Sequence, residues 1–199
     1  MDVNEAIVRR RSIRRFQDRP VPYEILEKCV DAGRVAPSAR NHQVCEYIIV
    51  DDAQLLPKMF DGIILGGWRD TPKDSPAMKN TPKAYIVILV NNDIEAEFAQ
   101  SRHFTTYDVG LSAENIILTA LEHGLGVCPV LLFQPDKLKP LLKIPDSHDI
   151  SLVLVLGHPN ESPVLEVSTG PVETWIDDQG VRHVPKRKLE DITHRNQFP

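Results

Sequence analysis

At 199 residues, with 26% charged residues and a formal net charge of −5, the chain is long enough to bury a core without disulfides or metal and too ordinary in composition for wholesale disorder. The acidic balance argues against the broad basic face of a nucleic-acid binder. Three cysteines with no CxxC pair and an apolar run no longer than residues 84–90 fit a reducing cytoplasm and no membrane span.

Asp2 followed by Glu5 resembles a capping box, and Val3, Ala6 and Ile7 recur at helical spacing. A short amphipathic helix therefore opens the chain and delivers Arg9, Arg10 and Arg11 at its C-terminal end, where cations suit the helix dipole. Residues 9–16 hold five arginines around a single hydroxyl, Ser12. Arginine forks fit phosphate or carboxylate oxygens and a serine hydroxyl adds one more bond, so an anion cradle is expected; a solvated basic turn is the alternative. Ile13 and Phe16 argue that the stretch is held against a core. A second basic cluster, Lys186, Arg187 and Lys188, could close over the same anion.

Pro22 is a good first helical residue, and Ile25, Leu26, Cys29, Val30 and Gly33 trace one face of a helix ending near Val35. The polar loop at 36–43 leads into a strand at 47–50. Asn41 and Gln43 there carry amides suited to reading the edge of a heterocycle, or to satisfying local backbone groups. A short helix at 54–60 and a lid or substrate loop around Gly66, Gly67 and Trp68 come next.

Residues 84–90 predict a fully buried strand. The helix at 109–121 carries Val109, Ser112, Ala113, Ile116, Ile117, Ala120 and Leu121 on one face and Leu111 and Leu118 on a second, so it is expected to be buried nearly all round, with Gly124 ending it. A strand at 127–133 contains Pro129, which cannot donate to a ladder and marks an edge or bulge with free backbone groups. A helix at 135–142 and a strand at 151–156 follow. The expected organisation is a core over 1–157 and, within the same domain, an extension over 158–199 that cannot form a core alone and wraps its own subunit or a partner. Residues 175–176 and 181–184 are its extended candidates.

No GxGxxG follows a strand, and no Walker A loop, HExxH or GxSxG is present. No metal ligand set is expected. A phosphate cradle, an amide loop and an apolar body with no evident acid, base or nucleophile favour a borrowed cofactor.

Five sequence matches carry a resemblance: Arg10-Arg11-Ser12-Ile13-Arg14; Ala36-Pro37-Ser38 through Asn41 and Gln43; Asp108-Val109-Gly110 through Glu114-Asn115 to Gly124-Leu125-Gly126; Val155-Leu156-Gly157 with Pro159; and Arg187-Lys188-Leu189-Glu190. In this order and spacing the chain resembles the FMN-dependent nitroreductase superfamily over nearly its whole length. The resemblance implies an α+β sandwich with a mainly antiparallel sheet flanked by helices, an intertwined homodimer and two FMN molecules at the subunit interface. It implies NADH or NADPH as co-substrate and a small electron-poor acceptor, with nitro reduction, enone reduction, dehalogenation and flavin fragmentation all open. A flavin-storage protein without turnover is the rival reading.

By the same resemblance, Arg10, Arg11 and Ser12 hold the FMN phosphate and Arg14 reaches the ribityl chain or pyrimidine edge. Pro37, Ser38, Ala39, Asn41 and Gln43, from the other subunit, contact the isoalloxazine. Pro129, Val130 and Leu131 line the ring through their backbone, and Arg187 and Lys188 complete the phosphate site. The departure is Cys128-Pro129-Val130-Leu131-Leu132, where many relatives have a glycine-containing turn.

Overall fold

The computed structural model describes residues 1–65, 79–97 and 102–198. Residues Met1–Asn160 form one unit and Glu161–Pro199 a second, so the division falls three residues beyond the expected one. The lid expected around Gly66, Gly67 and Trp68 lies outside the described residues.

The first unit contains α1 (Val3–Arg9), α2 (Tyr23–Arg34), β1 (Cys45–Val50), α3 (Leu56–Asp61), β2 (Ala84–Asn91), α4 (Asn92–Ala96), α5 (Arg102–Glu122), β3 (Gly126–Val130), α6 (Pro135–Leu142) and β4 (His148–Gly157). The strands make one antiparallel sheet in the order β1-β2-β4-β3. The expected mainly antiparallel α+β sandwich is therefore present.

The alternation of strand side chains divides the core into two layers. Ala84, Ile86, Ile88 and Val90 of β2 join Leu152, Leu154 and Leu156 of β4 against Leu26 and Cys29 of α2 and Val109, Ala113, Ile116 and Ala120 of α5. Tyr85, Val87 and Leu89 face the other way with Val153 and Val155, meeting Met59 of α3, Leu138 of α6, and Ile13 and Phe16. Burial on both faces is why β2 reads as an unbroken apolar run.

Asp2 caps α1 by accepting from the Glu5 N–H at 2.8 Å, whereas the Glu5 side chain pairs with Arg9 at 2.9 Å and does not close a box. α3 begins at Leu56, later than expected, with Pro57 in its first turn. Gly124 ends α5 with φ of +74°, a left-handed conformation that favours glycine.

Two expectations need correction. α5 is not buried nearly all round: Leu111 is exposed and Leu118 half-buried, and together with exposed Phe104 and Tyr107 they leave a stripe that this single chain does not cover. The strand expected over 127–133 leaves the ladder after Val130; Leu131 and Leu132 are exposed, and Phe133 makes an isolated bridge to Ile63.

In the second unit, β5 (Val164–Ser168) pairs parallel with β7 (Arg182–Arg187), and β6 (Trp175–Ile176) pairs antiparallel with β7. Among its described residues only Pro185 is buried.

Candidate functional site

The arginine segment leaves α1 at Arg10 and runs beside β3. The Ile13 N–H donates to the Val127 carbonyl at 3.0 Å, and Ser12 bridges Val127 in parallel. β3 is an edge strand, and residues two apart on a strand present their backbone groups to the same side. The Pro129 carbonyl therefore faces the same open edge that Ile13 occupies at Val127. Pro129, itself exposed, sits where its missing N–H costs no ladder bond. Val130 is buried beneath the edge, and exposed Leu131 stands just past it.

Arg10 Nε lies 3.3 Å from Glu114 Oε1 of α5, a partly exposed pair that anchors the cradle to the helix. The Arg11 fork turns back onto the chain, donating to the carbonyls of Val8, at 2.6 Å, and Arg10. Burial and then the adjacent Arg10 charge lower the Arg11 pKa, the sign expected where cations crowd one another. Arg14 Nη1 donates to the Ser12 carbonyl at 3.3 Å, which fixes the segment's curvature around the half-buried Ser12. The structure thus gathers Arg10, Ser12, Arg14, Pro129, Val130 and Leu131 along one edge, with Arg11 serving chiefly as internal scaffold.

The loop carrying Pro37, Ser38, Ala39, Asn41 and Gln43 is built separately. Ala39 donates its N–H at 3.0 Å to Asp108 Oδ1 of α5, and Gln43 donates its N–H at 3.1 Å to Ser38 Oγ. Arg40, Asn41 and Gln43 adopt φ of 50°, 60° and 53°, a left-handed region uncommon for residues other than glycine and asparagine. Gln43 Nε2 donates to the Asn41 carbonyl at 3.3 Å. Asp108 and Glu114 are six residues apart, which places the contacts to the two half-sites roughly 120° apart around α5. Within one chain, α5 holds the cradle and the amide loop by different faces.

Arg187 and Lys188 belong to the second unit, where Arg187 Nη2 donates to the Asp191 carbonyl at 2.9 Å and Lys188 Nζ to Glu190 Oε1 at 3.3 Å.

The nitroreductase family model matches residues 7–158. The chain belongs to the nitroreductase family. A relative from Methanothermobacter thermautotrophicus, provisionally named an NADH dehydrogenase/NAD(P)H nitroreductase, is 31% identical over 167 residues, covering 82% of this chain and 80% of its own. An FMN reductase [NAD(P)H] from Bacillus subtilis is 28% identical over 166 residues, covering 79% and 66% respectively. The crystal structure of a nitroreductase family protein from Streptococcus pneumoniae aligns with a TM-score of 0.74 over 98% of this chain and 100% of that one, at 16% identity; at that identity the likeness speaks for the fold.

The sequence pattern of this family member marks the arginines, Ser12 and the loop amides but not the role of the helix residues that hold them. Glu114, Asp108 and Ser112, whose hydroxyl meets the Tyr47 hydroxyl at 2.7 Å, appeared only as sequence matches or as part of an apolar face. A usable signal existed: Asp108 and Ser112 are polar, are 6% and 2% exposed, and interrupt the helix face that also carries Val109, Ala113 and Ile116.

Proposed function

We propose that this nitroreductase-family chain is an FMN-dependent oxidoreductase that uses NADH or NADPH to reduce a small electron-poor acceptor, and that it works as a homodimer. The single observation that carries the reading is the seating of the Arg10–Arg14 segment against the open edge of β3, which sets Ser12 beside Val127 on the strand that carries the exposed Pro129. The donor set fits the group. Arg10 and the Ser12 hydroxyl suit a phosphate monoester, Arg14 offers a cation next to that position, and the backbone carbonyl at Pro129 accepts from a ring N–H.

FMN bound there supplies the hydride chemistry between the nicotinamide and the acceptor. The chain contributes placement and electrostatics. Arg10 and Ser12 hold the phosphate, and Arg14 offsets negative charge at the pyrimidine edge. Val130 supports the ring from beneath, and exposed Leu131 and Leu132 give an apolar wall that favours flat acceptors. Asn41 and Gln43, from a second copy of the chain, present their amides to the ring. Solvent provides the proton, so no side chain has to relay it.

Adding NADH or NADPH to the flavin-loaded protein without acceptor tests the reading. Bleaching of the visible flavin band within the mixing time supports turnover; a band that persists identifies a storage protein.

A further inference from the structure

Two cavities border the loop at residues 36–44, whose last residue, Val44, is buried. One, of about 130 Å³, is bordered by Pro37, Ser38 and Gln43 of the loop and by Cys45, Tyr47 and Asp108. The other, of about 20 Å³, borders Ala39 and Asp108. Asp108 belongs to both linings. Its carboxylate is buried and accepts the Ala39 N–H at 3.0 Å, across 69 residues of sequence. Beyond Ala39 the chain turns through the left-handed residues Arg40, Asn41 and Gln43. Such backbone persists only where its surroundings over-determine it, and hydrogen bonds help to do so. The Ser38 hydroxyl closes the loop onto itself through Gln43; Asp108 ties the loop to the helix.

We infer that Asp108 is a positioning residue that sets the height and tilt of the Asn41 and Gln43 amides, and so governs binding of the flavin ring independently of the phosphate. The inference rests on the flavin reading above. The Cys45 thiol shares the cavity with Asp108; burial, and then the Asp108 charge, push its pKa up to about 11, consistent with a carboxylate in the wall. The Asp108 bond reaches the loop from a side chain outside it, whereas the Ser38 and Gln43 bonds are internal to the loop.

The experiment compares FMN with riboflavin, which has the same ring and no phosphate, in equilibrium titrations followed by flavin fluorescence. Asp108→Ala weakens both ligands by a similar factor, on the order of tenfold or more for loss of a hydrogen bond to a charged acceptor. Arg10→Ala weakens FMN and leaves riboflavin unchanged. Asp108→Asn, whose amide oxygen still accepts from Ala39, restores riboflavin binding to near the wild-type level; loss of a generic buried charge would not be rescued in this way. If Asp108→Ala does not fold, Ala39→Pro removes the donor instead, and its riboflavin affinity decides. A variant lacking the bond that binds riboflavin as tightly as wild type overturns the role of Asp108 while the flavin reading stands. A wild-type chain that binds neither flavin overturns both.

Discussion

Ile13 donates its backbone N–H to the Val127 carbonyl at 3.0 Å, which makes the arginine segment a short companion of an edge strand. The approach is close because position 126 carries no side chain: a Cβ there would lie 2.6 Å from Ile13 Cβ and Cγ1. Gly126→Ala must therefore push the segment away or distort β3. Overpacking of this kind costs about 1–3 kcal/mol. Urea denaturation should show a loss in that range together with weakened flavin binding; wild-type stability and affinity would mean that the segment is not held there.

Phe104, Tyr107 and Leu111 recur at i, i+3 and i+7 on α5 and are all exposed, and exposed Val3, Ile7 and Val8 of α1 add to the apolar surface. An apolar face of this kind marks an interaction surface, and in the proposed dimer a second copy would cover it. Obligate interfaces bury roughly 2,000 Å² or more, so the wild-type chain should elute at dimer mass in light scattering. Leu111→Asp, which buries an unpaired charge there, should shift the population toward monomer. A folded wild-type monomer at micromolar concentration contradicts the dimer.

His183 in the second unit predicts a pH dependence. Its Nδ1 lies 2.5 Å from Glu166 Oε1 and its Nε2 3.2 Å from Asp177 Oδ2, while the ring stacks on Trp175 at 3.9 Å between centroids. Both carboxylates only accept, so both nitrogens donate only as the imidazolium. The bond to Asp177, then that to Glu166, raises the His183 pKa above its ordinary 6.5 against the pull of desolvation. A raised folded value gives stabilisation that is complete below the unfolded value and lost as pH rises through the folded one. The Asp177 pKa is lowered, first by the Val181 N–H and then by His183, so its share is present above the unfolded value of 3.8 and lost as pH falls through the folded one. Hydrogen exchange in β6 and β7 should accordingly be most protected in the mildly acid window, beyond the intrinsic pH effect. An NMR titration placing the His183 midpoint at or below 6.5 contradicts the clamp.

Under the proposed function, with one candidate cofactor edge among the described residues, the nicotinamide and the acceptor should use the same pocket in turn. Initial rates at several fixed NAD(P)H concentrations should give parallel double-reciprocal lines. Lines that converge left of the axis indicate a ternary complex and contradict the shared pocket. Leu131 and Leu132 supply apolar contact, which separates related acceptors by only about 1–3 kcal/mol, so several flat acceptors should turn over at comparable rates.

The parts of the fold that burial dictates were legible. β2 read as a buried strand because both its faces are covered, and α6 was placed at Pro135–Leu142 by a proline-led start. Pro129 marked β3 as an edge or a bulge, and the strand lies at the edge. What the sequence hid was which body covers an apolar face: periodicity marks Leu111 as apolar on α5 but does not say whether this chain or another buries it. The site was legible where chemistry is local, as in the arginines around Ser12. It was hidden where a bond spans 69 residues, as between Ala39 and Asp108, or where backbone departs from its preference, as at Arg40 and Gln43.

Titration of flavin-free protein with FMN, read by the shift of the flavin absorbance, tests the central claim most directly. The account predicts one FMN per chain. It also predicts that Arg10→Ala loses about 1.5–3 kcal/mol of binding, the range for a hydrogen bond to a charged group, or roughly tenfold to a hundredfold in affinity. No uptake of FMN, or an Arg10→Ala affinity equal to that of wild type, would contradict it.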